Sequence, residues 1–170
     1  MRGSLSLRRV WLCAAAVLLC AAAVAAEGPW YEPFAGTWTG TGRFMGNDAQ
    51  YELAVEPALD GHFVRFSVRY RWRDANGADA AFSGEGMYPA QAAASMRGAW
   101  FDCEKHHFAT TAWLETPQAM VVHWGDGAAL RGRTEYRLLR EGELQVGDSF
   151  SQDGNWQQFS SARLKRAPGG

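Results

Sequence analysis

Apolar and polar residues alternate along much of the chain, and the run that follows His62 shows this best. Its apolar positions are Val64, Phe66, Val68, Tyr70 and Trp72, and its polar positions are Arg65, Ser67, Arg69, Arg71 and Arg73. Side chains two residues apart lie on the same face of a strand, so the pattern predicts a half-buried strand. Since burying four unpaired cations would be very costly, the arginines are predicted to face solvent.

Turn signals divide the chain after residue 35 into ten such runs. Asn-Gly and Asp-Gly reach positive φ easily and close tight hairpins. The nine signals are Gly46-Asn47-Asp48, Asp60-Gly61, Asn76-Gly77, Pro89 and its alanines, Glu104-Lys105-His106, Thr116-Pro117, Asp126-Gly127, Glu141-Gly142 and Asp153-Gly154. A short helix is allowed only in residues 89–95 or near Gly46. The pattern predicts an all-β fold, a ten-stranded antiparallel up-and-down barrel, because closure removes exposed edges and leaves room for a small ligand.

The first predicted strand lies in the stretch FAGTWTGTGRF, residues 34–44. Gly36 allows a tight entry into the strand, and Gly40 and Gly42 allow bending or close approach of a neighbouring strand. The large flat side chain of Trp38 is predicted to seal one end of the barrel.

Gly36-Thr37-Trp38 resembles the glycine-x-tryptophan motif of the calycins, the lipocalin and fatty-acid-binding superfamily. The stretches LDGHFVRFSVRY and DSFSQDGNWQQFSSARLKR resemble a bacterial lipocalin-like family known only as a domain of unknown function, although Asn155 departs from that family's second glycine. The resemblance implies a barrel and small-molecule binding, but no reaction. It also implies a late arginine stacked on Trp38, for which Arg163 is the candidate and Arg137 the substitute.

Nitrobindin, a ten-stranded haem barrel, is a more distant resemblance. Its iron needs a histidine from a late strand, whereas the last predicted strand here, residues 156–165, has none. Histidine occurs only as His62, His106, His107 and His123. We therefore expect no cofactor, haem included.

The first 26 residues have the layout of a secretory signal peptide: arginines, an apolar run over residues 10–23, and small residues at the end. This predicts a periplasmic or secreted protein with no membrane insertion after cleavage, and a single barrel domain over residues 27–170. General secretion and twin-arginine export both stay open.

The signal-peptide segment holds three of the 17 Lys and Arg residues and none of the 18 Asp and Glu residues, so the net charge of the mature chain is 14 minus 18, or −4. That charge argues against nucleic acid as a partner.

Two groups of residues are candidates for chemistry. Cys103, His106 and His107 form the one metal-like cluster, since thiolate and imidazole suit zinc or copper, but adjacent histidines on a tight turn diverge and a polar hairpin tip is the favoured interpretation. Asp148 is the acidic residue that alternation assigns to the inner face, where a raised pKa would suit an acid or base.

The predicted function is binding of a small, mostly apolar or aromatic molecule inside the barrel. The predicted ligand-binding residues are Trp38, Tyr51, Phe66, Tyr70, Phe82, Tyr88, Trp100, Tyr136 and Phe150. Small residues beside them, Gly84, Gly86 and Gly98, are expected to leave space for the ligand. Three alternatives stay open: an enzyme using Asp148, a haem or metal protein, and a filled barrel that serves as an interaction module. The size of the cavity distinguishes them.

Overall fold

The computed structural model describes residues 28–127, 130–140, 142–152 and 154–168. The predicted signal peptide, residues 1–26, lies outside the described residues. Ten strands account for most of the described chain: β1 (Gly36–Phe44), β2 (Asn47–Ala58), β3 (Phe63–Arg73), β4 (Asp79–Pro89), β5 (Met96–Asp102), β6 (His107–Thr116), β7 (Ala119–Trp124), β8 (Arg131–Arg140), β9 (Glu143–Gln152) and β10 (Asn155–Arg166).

The strands form one closed antiparallel barrel. Each strand pairs with its neighbours in sequence, and β1 closes the barrel by pairing with β10. Trp38 is thereby opposite Leu53 of β2 on one side and opposite Arg166 of β10 on the other. The predicted ten-stranded up-and-down barrel is confirmed.

Alternation along β3 separates the inside of the barrel from the outside. Val64, Phe66, Val68 and Tyr70 are buried, whereas the arginines between them and beyond them are half-buried or exposed. On the outer face Arg71 lies 3.1 Å from Glu52, and Arg73 lies 3.3 Å from Asp79. These exposed ion pairs contribute little stability, but they confirm that the arginine face is the wet face.

Helical structure in the described residues is limited to one 3₁₀ turn, Glu32–Phe34, just before β1. The prediction of a short helix in residues 89–95 or near Gly46 is wrong. The amide of Ala90 donates to the carbonyl of His62, 2.9 Å away, which continues the β3–β4 pairing into the β4–β5 connection. Gly46, with φ of +84°, closes a tight β1–β2 hairpin. No helix of the described residues is long and apolar enough to cross a membrane.

The two ends of the barrel differ. The lower end, where β1 begins and β10 ends, is covered by the segment before β1, whose Trp30 and Phe34 are buried. The upper end gathers the β1–β2, β3–β4, β5–β6, β7–β8 and β9–β10 connections. In the described residues Trp30 and Phe34 cover the lower end, so a site that is open to solvent is expected at the upper end.

Candidate functional site

Trp38 closes the lower end of the barrel. Its side chain is fully buried, and its indole Nε1 donates to the carbonyl of Phe34 at 2.7 Å. Trp30 adds a second anchor, since its Nε1 donates to the carbonyl of Pro89 at 3.0 Å. These bonds tie the preceding segment to the barrel and confirm the end-sealing role predicted for Trp38.

The arginine stacked on Trp38 is Arg166, and the predictions of Arg163 and Arg137 are wrong. The Arg166 guanidinium carbon lies 4.1 Å from the Trp38 ring centroid, and the same guanidinium donates to the carbonyls of Ala35 and Pro33. Arg163 is exposed, because it lies three positions before Arg166, an odd offset that places it on the opposite, outer face of the strand. Opposite Trp38 in the register stands Arg166.

A cavity of about 380 Å³ lies inside the upper half of the barrel. Eleven aromatic side chains form most of its wall: Phe44, Tyr70, Trp72, Phe82, Tyr88, Trp100, Phe108, Trp124, Tyr136, Phe150 and Phe159. Met45, Glu104 and His106 line its mouth, and all three are exposed. Such a volume falls in the range of small-molecule sites, so the barrel is not filled.

Six of the nine predicted ligand-binding residues line this cavity: Tyr70, Phe82, Tyr88, Trp100, Tyr136 and Phe150. The other three, Trp38, Tyr51 and Phe66, do not line it and lie in the packed core. Tyr51 packs against Tyr70, with ring centroids 4.3 Å apart, and Phe66 packs against Tyr136 at 5.1 Å. Tyr51 and Phe66 therefore form a layer that supports the cavity wall.

Five aromatic wall residues were absent from the predicted set: Phe44, Trp72, Phe108, Trp124 and Phe159. Alternation alone would have found Trp72, which shares the face of Tyr70. Phe159 carried no such signal, because the β9–β10 register shifts between Gln158 and Ser160. A bulge of this kind turns one extra side chain toward the same face.

Space was expected beside the wall glycines, but at Gly84 and Gly132 an indole ring packs directly against the glycine backbone. A Cβ at Gly84 would lie 2.2 Å from the Trp100 ring, and a Cβ at Gly132 would lie 2.2 Å from the Trp124 ring. Each indole therefore occupies the space that a side chain would need. A Cβ at Gly98 would lie 2.4 Å from the carbonyl oxygen of Met87, so a larger side chain at this position would strain the sheet.

Asp148 brings a carboxylate to the cavity wall. It is 6% exposed, and its Oδ1 accepts a hydrogen bond from Thr134 Oγ1 at 2.7 Å. Thr134 Oγ1 in turn accepts from the indole Nε1 of Trp124 at 3.0 Å. Alternation correctly predicted that Asp148 faces inward, and its hydrogen-bond donor there is Thr134.

Oδ2 of Asp148 has no hydrogen-bond partner in the described part of the chain. The nearby Ser160 hydroxyl is 3.1 Å from the Tyr51 hydroxyl, which donates to the carbonyl of Arg43 at 2.7 Å. Since Tyr51 has one hydroxyl proton and gives it to Arg43, Ser160 donates to Tyr51. The Ser160 proton is then committed, and Oδ2 is left without a donor.

Burial raises the pKa of the Asp148 carboxyl, and the hydrogen bond from the Thr134 hydroxyl offsets this in part. The pKa values of Tyr70 and Tyr136 lie well above the usual range, because both phenols are buried and both face the charge of Asp148. Burial likewise raises the pKa of Tyr51 to about 12. The phenols therefore stay protonated at neutral pH and keep their hydroxyl donors.

The predicted metal-like cluster lies on the β5–β6 turn at the upper end. Cys103 is exposed, and its Sγ accepts from the amide of Ser83 at 3.3 Å. His106 Nδ1 lies 3.3 Å from Asp102, while His107 begins β6 and is exposed. Within the described ranges no three His, Cys, Asp or Glu side chains are grouped to hold a metal ion.

The remaining histidines lie away from the cavity. His62 is exposed at the β2–β3 turn of the lower end. His123 is on the outer face, where its ring centroid lies 4.7 Å from that of Trp113 and 6.0 Å from that of Trp156. Burial lowers the pKa of His123, and the charges of Arg133 and Arg131 lower it further.

No protein-family model and no curated protein matches the chain. Similar solved structures include EF1p2_mFAP2b bound to DFHBI, which is 11% identical, covers 82% of this chain and 98% of that chain, and has a TM-score of 0.45. A redesigned β-barrel is 14% identical over 83% of this chain and 97% of that chain, with a TM-score of 0.43. The redesigned β-barrel mFAP1, bound to DFHBI, is 11% identical over 82% of this chain and 100% of that chain, with a TM-score of 0.40. At these identities and TM-scores the likenesses carry no argument about the site.

Proposed function

We propose that this barrel binds a small, mostly apolar or aromatic molecule in its upper cavity. The observation that carries the proposal is the cavity itself, about 380 Å³ in volume and lined mostly by eleven aromatic side chains. Small-molecule sites are concave and mostly apolar, with a few polar groups that orient the ligand. Here Asp148, Tyr70 and Tyr136 are those polar groups.

Aromatic walls support the proposal because they give a flat ligand a large contact area. Offset or edge-to-face ring pairs contribute about 0.5–1.5 kcal/mol beyond the area that they bury. The wall rings are also held by one another: Tyr70 stacks on Phe82 with centroids 5.7 Å apart, and Phe44 packs on Trp72 at 4.8 Å. A wall fixed in this way loses little conformational freedom when a ligand enters.

The proposal is tested with N-phenyl-1-naphthylamine, a neutral apolar dye whose fluorescence rises when it leaves water. We expect the protein to raise its emission and Thr110→Phe, which places a ring in the cavity, to weaken binding at least about tenfold, or about 1.4 kcal/mol. Thr110 is 3% exposed and lines the cavity.

Thr111→Phe is the matched control, because Thr111 is the next residue of β6 and is exposed on the outer face. It should leave the dye affinity within about twofold of the parent, a difference well under 1.4 kcal/mol. Circular dichroism spectra of both variants should match that of the parent, which checks that they are folded. Absence of dye binding by the parent, or equal loss in the two variants, would refute the proposal.

We also propose that the first 25 or 26 residues are removed during export to the periplasm or the outside of the cell. The support is the arrangement of arginines, apolar run and small residues in the sequence. N-terminal sequencing of the exported protein should begin at Ala26 or Glu27. Exported protein that retains Met1 would contradict this.

A further inference from the structure

We infer that the ligand of the upper cavity is an organic cation: a protonated amine on an aromatic or apolar body, whose N–H donates to Oδ2 of Asp148. The inference rests on the proposed ligand-binding function and names the class of molecule for the same cavity. It is carried by three observations, namely an unpartnered carboxylate oxygen, the charges around the cavity, and the aromatic wall.

The unpartnered oxygen is a built acceptor. Asp148 is more than nine-tenths buried and lines the cavity, and in the described part of the chain its Oδ2 accepts no hydrogen bond. A buried carboxylate oxygen without a donor costs free energy, which a ligand N–H would recover. Thr134 meanwhile holds Oδ1 at 2.7 Å and fixes the direction of the carboxylate.

The charges that line the cavity favour a cation. Its acidic residues are Asp148 in the wall and Asp102 and Glu104 near the mouth, and no lysine or arginine lies among its described lining residues. Asp102 is already engaged, since its Oδ1 accepts from the amides of Glu104 and His106, each at 3.0 Å. Glu104 is exposed at the mouth, where its Oε2 lies 3.7 Å from His106 Nδ1. Asp148 is therefore the buried carboxylate left to meet a ligand, and an anion would meet like charge with no lysine or arginine among the described lining residues to compensate it.

The aromatic wall suits a cation as well as an apolar body. Ring faces of Trp, Tyr and Phe carry partial negative charge and attract organic cations, most strongly where water is excluded. The indoles of Trp100 and Trp124 lie close against Gly84 and Gly132, so each is held against the wall of the cavity. A carboxylate among such rings is the arrangement that recognises an amine, whereas a purely apolar ligand would leave Oδ2 of Asp148 without a donor.

The test uses three probes with one ring system and different charges: 1-naphthylmethylamine, 1-naphthalenemethanol and 1-naphthoic acid. Isothermal titration calorimetry at neutral pH measures the affinity of each probe for the parent protein, for Asp148→Asn and for Asp79→Asn. The last variant makes the same change on the outer face, where the Asp79 side chain is 89% exposed.

We expect the parent and Asp79→Asn to bind the amine at least about tenfold more tightly than the alcohol, and the carboxylic acid most weakly. Asp148→Asn should lose the preference for the amine while still binding the alcohol. If Asp148→Asn does not fold, the order of the three probes on the parent protein still decides the question.

Two results overturn the inference. The first is equal affinity of the parent for amine and alcohol, which leaves the proposed apolar binding standing. The second is an amine preference that survives in Asp148→Asn. If none of the three probes binds, the proposed function fails as well. Failure of the inference alone is therefore distinguishable, because the alcohol still binds in that case.

Discussion

Replacing Trp38 with alanine should strongly destabilise the barrel, since this one side chain makes three kinds of contact at the lower end. The indole is fully buried, its Nε1 donates to Phe34 at 2.7 Å, and its ring lies 4.1 Å from the Arg166 guanidinium carbon. Truncation of a buried aromatic to alanine costs about 3–5 kcal/mol, because the lost transfer free energy is joined by the cost of the cavity left behind. The two polar contacts place Trp38→Ala in the upper half of that range.

Two further substitutions separate those contacts. Trp38→Phe keeps a ring for Arg166 but removes the N–H, so about 1–3 kcal/mol should be lost with the Phe34 carbonyl left unpaired. Arg166→Met keeps the aliphatic stem and removes the cation. A double-mutant cycle of Arg166→Met and Trp38→Ala should give a coupling energy of about 0.5–2 kcal/mol, the range for a cation–π contact.

Urea unfolding, followed by circular dichroism, measures these free energies, and an unchanged m-value would show that the unfolded state is the same. Trp156→Ala is the control, since Trp156 is 44% exposed on the outside and should cost less than about 1 kcal/mol. A loss below about 1 kcal/mol for Trp38→Ala, or equal losses for the two tryptophans, would refute the end-sealing role. A coupling energy near zero would refute the Arg166 contact alone.

Two other variants test the cavity wall. Burial raises the pKa of Asp148 in the folded state above its pKa in the unfolded state. At pH below the unfolded-state pKa both states are protonated, so ionisation of Asp148 does not affect the free energy of unfolding. As the pH rises through the folded-state pKa, the buried carboxyl must ionise and stability is lost. In urea unfolding without ligand, Asp148→Asn should therefore gain stability relative to the parent between acid and neutral pH, and a pH-independent difference would contradict this. Gly132→Ala should cost about 1–3 kcal/mol in thermal unfolding, because its Cβ would meet the Trp124 ring at 2.2 Å. At Gly147 the nearest atom is 3.1 Å away on a flexible side chain, so Gly147→Ala should stay within about 0.5 kcal/mol, and equal effects would argue against a fixed indole.

Strand positions and faces were predictable because they are local properties of the chain. Alternation with a period of two assigned Tyr70 and Asp148 to the inside and Arg69 to the outside, and turn dipeptides marked the hairpins. Ten such runs joined by short turns allow few arrangements, so a closed meander followed. The 3₁₀ turn at Glu32–Phe34 escaped prediction, because a turn this short has no periodicity of its own.

The site depended on contacts that no local pattern encodes. Arg166 meets Trp38 through the register between the first strand and the last, which only closure of the barrel determines. The bulge beside Ser160 turns Phe159 inward, although alternation would place it outside. Tertiary packing also determines which glycines lie against an indole ring and which face open space. The sequence by itself determined that Asp148 faces inward. Only the tertiary structure decided that one of its oxygens has no donor, because that depends on where the hydroxyl protons of Thr134, Ser160 and Tyr51 are committed once distant strands meet.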